Sequence, residues 1–205
     1  MLRLRSVLIV ATLAVSSFAA ACSAADWPRW RGPADTGSVD GGNYPDSLSP
    51  ETLIWKTPLP GKGCSTPILV GNTLYLTAPV DGRDALLAFD LSGKQLWQAI
   101  FAQEDAGKHR NGSGSNASPV SDGKSIFVYF KSGTLAAVST TGKTLWTANI
   151  VDRFGKDTLY WDHGTSPVLT RASGSATHRR MCEIQAKSIM CDPTNWHDKG
   201  RRDRC

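Results

Sequence analysis

The chain has 205 residues, enough for one domain or two small ones, and its 19 Gly, seven Trp and many short apolar runs favour an all-β fold over a helical one. The net charge is +5, but eight of the 23 Lys/Arg and only four of the 18 Asp/Glu fall in residues 171–205, so the rest of the chain carries just +1. A basic excess confined to one tail excludes the broad charged face that nucleic-acid binding requires.

In chain order, residues 1–25 come first and have the layout of an export signal. Arg3 and Arg5 precede an apolar run over 7–15, broken only by Thr12, and Ala19-Ala20-Ala21-Cys22-Ser23-Ala24-Ala25 lead into Asp26. The run is too short to cross a bilayer, and no other segment of the sequence is long enough. Cleavage after Ala25 leaves small residues, Ser23 and Ala25, at the recognition positions; lipidation at Cys22 is the weaker alternative, because Ala19 stands where a larger aliphatic is usual. The expected location is secreted, periplasmic or in the cell envelope.

From Asp26 the chain reads as repeats. Thr66-Pro67-Ile68 and Gly71-Asn72-Thr73-Leu74-Tyr75-Leu76 recur in kind as Ser118-Pro119-Val120 and Gly123-Lys124-Ser125-Ile126-Phe127-Val128, 52 residues on. Ala88-Phe89-Asp90-Leu91-Ser92-Gly93-Lys94-Gln95-Leu96-Trp97 recurs as Ala137-Val138-Ser139-Thr140-Thr141-Gly142-Lys143-Thr144-Leu145-Trp146 at an offset of 49, so the indel falls in a loop. An earlier copy ends at Leu53-Ile54-Trp55, and a third begins at Thr165-Ser166-Pro167-Val168. This period is that of four-stranded propeller blades. Each full repeat predicts a strand after the Pro, a second at 73–77 or 125–130, a third at 85–90 or 134–139, and a fourth at 95–100 or 144–150. Ser92-Gly93-Lys94 and Thr141-Gly142-Lys143 supply the hairpin turns. Trp55, Trp97 and Trp146 are expected to pack between blades.

The pattern fails after Thr170. Residues 171–205 are basic, lack alternation and hold three of the five cysteines. They are expected to form an irregular, disordered tail, the product of a shifted frame or truncated gene. The expected division is 1–25 signal, 26–170 two full blades with flanking partial ones, and 171–205 tail. An all-β partial propeller exposes unpaired blade edges, so self-association through them is expected.

The repeated Ser/Thr-Pro-Val/Ile start, the Ala-Phe-Asp-x-x-Gly-Lys-x-Leu-Trp ending and the opening Asp26-Trp27-Pro28-Arg29-Trp30-Arg31-Gly32-Pro33 resemble the PQQ-like β-propeller repeat family, in its branch of secreted propellers that includes outer-membrane assembly proteins. The resemblance covers 26–170. It implies the fold, not an activity. Quinoprotein dehydrogenases of this fold hold their quinone and a calcium ion near the ring axis, with a catalytic aspartate and often an adjacent cysteine pair. This chain has no adjacent cysteines and too few repeats for a closed ring, so no catalytic, cofactor or metal residue is carried over. The expected function is a non-catalytic extracytoplasmic module, an incomplete fragment, that binds or scaffolds protein or polysaccharide. The alternative is a fragment of a PQQ-dependent dehydrogenase, with PQQ and calcium as cofactors.

If the first strand descends, the loops after the second strand and those between blades share one face. That face collects Asp81, Arg83, Asp84, His109, Arg110, Lys131, Asp162 and His163 as binding candidates; individually each also reads as a solvated loop charge. His163 beside Asp162 has the chemistry of a metal ligand or general base, although a turn with a capping Asp fits the pair better. Cys64 is expected as a small buried strand residue. His178, Cys182, Cys191, His197 and Cys205 are zinc-ligand types without a closely spaced pair. Asn111-Gly112-Ser113 and Asn116-Ala117-Ser118 match glycosylation sequons, and neither a phosphate-binding loop nor a nucleophile elbow is present.

Overall fold

The computed structural model describes residues 26–39, 41, 45–156, 162, 164–171, 180–184 and 189–191. The expected signal segment with Cys22, together with His163, His178, His197 and Cys205, lies outside them. No described helix is long and apolar enough to cross a membrane.

Three antiparallel meanders follow one another. The first comprises β1 (Ile68–Val70), β2 (Thr73–Thr77), β3 (Arg83–Asp90) and β4 (Gln95–Gln103). The second comprises β5 (Val120–Ser121), β6 (Ser125–Tyr129), β7 (Thr134–Ser139) and β8 (Thr144–Asn149), and leads into a short helix, α1 (Ile150–Phe154). The third comprises β9 (Val168–Arg171), β10 (Arg180–Ile184) and β11 (Ile189–Cys191). The described sheets form an open, partial propeller.

Most strands lie where the sequence places them; several ends differ. β3 begins at Arg83 and β4 runs on to Gln103, because Arg83 pairs with Gln103 across a bulge. β8 stops at Asn149, whose Oδ1 accepts from the Asp152 N–H at 3.0 Å and caps α1. In the third sheet the backbone of Val168–Arg171 pairs with Arg180–Ile184, and that strand with Ile189–Cys191; the rest of the expected tail lies outside the described residues. Strand pairing is made by the backbone, which explains why it arises without the side-chain alternation that would have announced it.

Each full sheet carries the same row of side chains. Tyr75, Ala88 and Trp97 are cross-strand neighbours in the first, and Phe127, Ala137 and Trp146 in the second. The central alanine leaves room for the indole to reach the aromatic ring two strands away, with centroids 5.7 Å apart for Tyr75 and Trp97 and 6.3 Å for Phe127 and Trp146. The turns also repeat. Asp90 and Lys94 close a three-residue loop with Gly93 at φ 81°, and Ser139 and Lys143 do the same around Gly142 at φ 89°. Asp90 Oδ1 accepts from the Ser92 and Lys94 N–H groups, and Ser139 Oγ from that of Lys143.

The two turn glycines also dock the sheets on one another. A Cβ on Gly142 would lie 2.8 Å from the Trp97 ring, and one on Gly93 would lie 2.5 Å from the Trp55 ring. Trp55 Nε1 donates to the Leu91 carbonyl at 2.8 Å. The outer-strand Trp of one repeat thus sits on the Gly-Lys turn of the next. Trp146 is buried against Phe127, Ala137 and Leu169 of β9. Between the first two sheets, Ile68, Tyr75, Leu86, Ala88 and Phe101 meet Ile126, Val128, Phe130, Ala136 and Val138 in one core. Alternate residues of β3, Ala85, Leu87 and Phe89, pack on the other side of the first sheet. The middle strands are buried on both faces, so they read as continuous apolar runs.

Candidate functional site

The loops after β2 and β6, the linker between the first two sheets and Asp162 lie on one face. The linker 104–119 crosses from β4 to β5 there and is held by its own backbone. The Glu104 N–H donates to Gly82 O at 3.0 Å, the Lys131 N–H to Gly114 O at 3.0 Å, and the Cys64 N–H to Ser115 O at 3.1 Å. Asn116 Oδ1 accepts from the Ser113 N–H and hydroxyl at 2.9 and 3.1 Å. Gly114 sits so close to Glu104 that a Cβ would fall 2.6 Å from its Cγ. A relay of pre-proline residues ties the three sheets: the Thr66 N–H donates to Ser118 Oγ, and the Ser118 N–H to Ser166 Oγ, both at 2.9 Å. These are the equivalent residues of successive repeats.

Lys131 is the electrostatic centre of the face. Its side chain is only 8 % exposed, with Nζ 3.0 Å from Asp162 Oδ1 and 3.4 Å from Asp105 Oδ1, and it also donates to the Ala106 carbonyl. Burial alone would lower the ammonium's pKa; the bond to Asp162 and the charges of Asp105 and Asp162 outweigh it and hold the pKa above the ordinary value. Asp162 Oδ2 accepts from the Lys108 and His109 N–H groups at 2.8 and 3.4 Å. Burial would raise this carboxyl, but Lys131 and the two N–H donors win and hold it below the ordinary range. Asp84 is different. It is fully buried in β3, Oδ2 accepts from Ser132 Oγ at 2.5 Å, and Oδ1 has no partner among the described residues. Burial pushes its carboxyl up to about 7, with the Ser132 bond opposing and Glu104 and Asp105 adding to the rise.

Of the residues expected on this face, Lys131 and Asp162 are brought into contact, and Asp84 lies beside them through Ser132. Asp84 is a buried strand residue, not a solvated loop charge. Asp81 and Gly82, at φ 48° and 71°, form the two-residue turn between Val80 and Arg83. The Arg83 guanidinium donates to the Phe101 carbonyl on the neighbouring strand. His109 Nδ1 accepts from the Asn111 N–H at 3.2 Å, and the Arg110 carbonyl accepts from Lys62 Nζ. Cys64 is exposed and precedes β1, which corrects its expected burial in a strand; Ile68 after Pro67 is the first strand residue.

Two hollows open on the face. A peripheral cleft of about 470 Å³ lies among Glu104, Lys108, Lys131, Ser132 and Lys156. A groove of about 580 Å³ runs past the starts of the innermost strands, lined by Thr66, Ser118, Ser166, Arg29, Trp30 and Asp35. The opening segment lies along the inner edges of those strands. Trp27 exchanges backbone bonds with Leu69 at 2.8 and 3.0 Å, and Pro28 O accepts from the Ser121 N–H at 2.8 Å. Arg29 pairs with Asp35 at 2.9 Å, while Trp30 stays 59 % exposed with the Arg31 guanidinium 5.9 Å from its ring centre. Sequence reasoning missed Glu104, Asp105, Ser132 and Trp30 as parts of this face. The Arg-Trp-Arg run was the one local signal for Trp30; the other three sit in short polar loops with no pattern of their own.

A family model described as outer membrane protein assembly factor BamB matches residues 48–177. The chain belongs to this PQQ-like repeat family. Among solved structures, BamB from Moraxella catarrhalis aligns at 16 % identity with a TM-score of 0.40, covering 67 % of this chain and 38 % of that one. A europium-containing methanol dehydrogenase aligns at 20 % identity with a TM-score of 0.36, covering 60 % of this chain and 23 % of that one. The chain therefore spans well under half the length of either. No curated protein sequence matches it. Among the described residues no three His, Cys, Asp or Glu side chains converge in a way that could hold a metal ion.

Proposed function

We propose that the chain is a non-catalytic scaffold of the cell envelope whose loop face binds a protein partner. The observation that supports this reading best is the locking of the linker 104–119, the Lys131 loop and Asp162 into one rigid surface with a groove beside it. Preformed loops on a rigid sheet scaffold bind with little ordering cost. The face offers mixed charge and exposed aromatics, Trp30 among them, a composition suited to a protein surface. The family description, an assembly factor of the outer membrane, is in keeping with a protein partner and an envelope location.

A photo-crosslinking amino acid placed at Lys108, on the loop face, and in a second variant at Asn72, in the β1–β2 turn of the opposite face, tests the reading in envelope extracts of the native host. The expected result is an adduct of one defined mass from position 108 and none from 72. Equal adducts from both faces, or none from either, refute it. Dye-linked alcohol or sugar oxidation after addition of quinone and calcium refutes the non-catalytic part.

A further inference from the structure

We infer that Asp84 and the linker 104–119 form a proton-operated clasp: the linker lies closed over the carboxyl while it is neutral and lifts from it when it is charged. The inference is independent of the partner-binding reading, since it concerns an equilibrium of the chain by itself. Three segments surround Asp84: the turn at Gly82, the start of the linker, and the Ser132 turn of the next sheet. Backbone N–H groups tie them together. The Glu104 N–H donates to Gly82 O at 3.0 Å, the Gly114 N–H to Glu104 Oε1 at 3.2 Å, and the Lys131 N–H to Gly114 O at 3.0 Å. The linker contains no helix or strand of its own, so these few bonds set how firmly it closes.

The closed arrangement suits a neutral carboxyl and not a charged one. An ionised carboxylate accepts about four hydrogen bonds; Asp84 accepts one, from Ser132, and its Oδ1 has no partner. Among the described residues no cation pairs with it. The Arg83 guanidinium turns to the Phe101 carbonyl, and Lys131 Nζ to Asp105, Asp162 and the Ala106 carbonyl. The charges that face Asp84 from the linker, Glu104 and Asp105, have its own sign. Ionisation in the closed state therefore leaves a buried charge unpaired. The linker adds an orphan of its own, since Ser115 Oγ is buried without a partner. Lifting the linker gives water to both oxygens at the loss of a few backbone bonds. Solvent already reaches Glu104 and Ser132 through the cleft of about 470 Å³. On opening, the Asp84 proton passes to water and no other group changes charge. The closed state keeps that proton up to about 7, whereas an uncovered carboxyl releases it near 3.8. Between these values the closed state binds more protons than the open one. Opening therefore becomes more favourable as pH rises, by up to about tenfold per unit, and levels off above the higher value.

Amide hydrogen exchange on the full chain, followed by NMR from about pH 4 to 8 and divided by the chemical exchange rate at each pH, separates this opening from global unfolding. The amides of Glu104, Gly114 and Lys131 read the clasp; those of Ile126 and Val128, buried in β6, read the whole fold. The clasp amides are expected to exchange faster than the β6 pair at every pH. They are also expected to lose protection by up to about tenfold per unit from acid towards neutral pH, and then to level off. Asp84→Asn cannot ionise and is expected to abolish that slope at the three clasp amides. Clasp protection that does not change with pH in the parent overturns the inference. So does the same slope in Asp84→Asn. Clasp amides that exchange no faster than the β6 pair overturn it as well, because Asp84 is then uncovered only by global unfolding.

Discussion

Replacing Asp84 by Asn is expected to stabilise the protein most at neutral pH and above, progressively less as the pH falls, and not at all once the pH is below the unfolded carboxyl's value of 3.8. The Asp84 side chain is fully buried, accepts one hydrogen bond from Ser132 through Oδ2, and has no partner for Oδ1 among the described residues. Its proton leaves near 3.8 in the unfolded chain and at about 7 in the folded one. Between those values the folded state binds more protons than the unfolded state, so stability falls as pH rises. Below the lower value both states are protonated and nothing is lost; above the higher value the whole penalty is present. A rise of about three units corresponds to about 4 kcal/mol. Asn matches the shape of the neutral carboxyl and still accepts from Ser132, so the variant should recover about 2–4 kcal/mol at pH 8, allowing for some relaxation around the charge. That is roughly 5–15 °C in Tm for a domain of this size. Thermal unfolding followed by near-UV circular dichroism from about pH 4 to 9 measures it, with the two curves converging at the acid end. Parallel curves for parent and variant, or a less stable variant at pH 8, refute the reasoning that burial dominates this carboxyl.

Three further outcomes follow from the geometry. Gly142→Ala and Gly123→Ala share nearly the same backbone, φ 89° and 88°, but a Cβ meets the Trp97 ring at 2.8 Å in the first and nothing within 4 Å in the second. Both should lose about 1–2 kcal/mol from the left-handed backbone, and Gly142→Ala a further 1–3 kcal/mol or so, read from urea midpoints; equal losses would remove Trp97 from the interface. Lys131→Met leaves the carboxylate of Asp162, whose side chain is 5 % exposed, without its cation and should cost about 1–3 kcal/mol at neutral pH. Because Lys131 helps to hold the Asp162 pKa down, the stability it contributes is present above the unfolded carboxylate value and is lost as pH falls, so the deficit in urea should shrink in acid. Ser118→Ala removes the acceptor of the Thr66 N–H, should lower stability by about 1 kcal/mol, and should speed exchange of the Thr66 amide relative to that of Leu69.

Much of the fold was legible because its determinants are local. The Asp90 and Ser139 turns close within five residues, and Gly93 and Gly142 stand where the loop needs a positive φ. The aromatic, alanine and tryptophan row recurs at a fixed offset, so one repeat predicts the next. The third sheet was not legible, since strands β10 and β11 show no alternation to announce them. Cys64 was misplaced because a Cys in a β-rich stretch reads as buried, whereas the strand begins only after Pro67. On the candidate face, Asp81, Arg83 and Asp84 looked alike as charges beside a glycine. They separate only in space, into a turn residue, an arm onto Phe101 O and a buried acid.

The sequence by itself determined the blades: their number of strands, their order, their turns and the tryptophans that mark their outer edges. Those features depend on contacts within a single blade and on a period that repeats. Only the tertiary structure decided which charges are paired, buried or free. Asp84 meets Ser132 48 residues away, and the backbone N–H groups of Lys108 and His109 meet Asp162 at 54 and 53. The environment of a charge is set by whichever loop the next blade lays over it, and no local pattern carries that information.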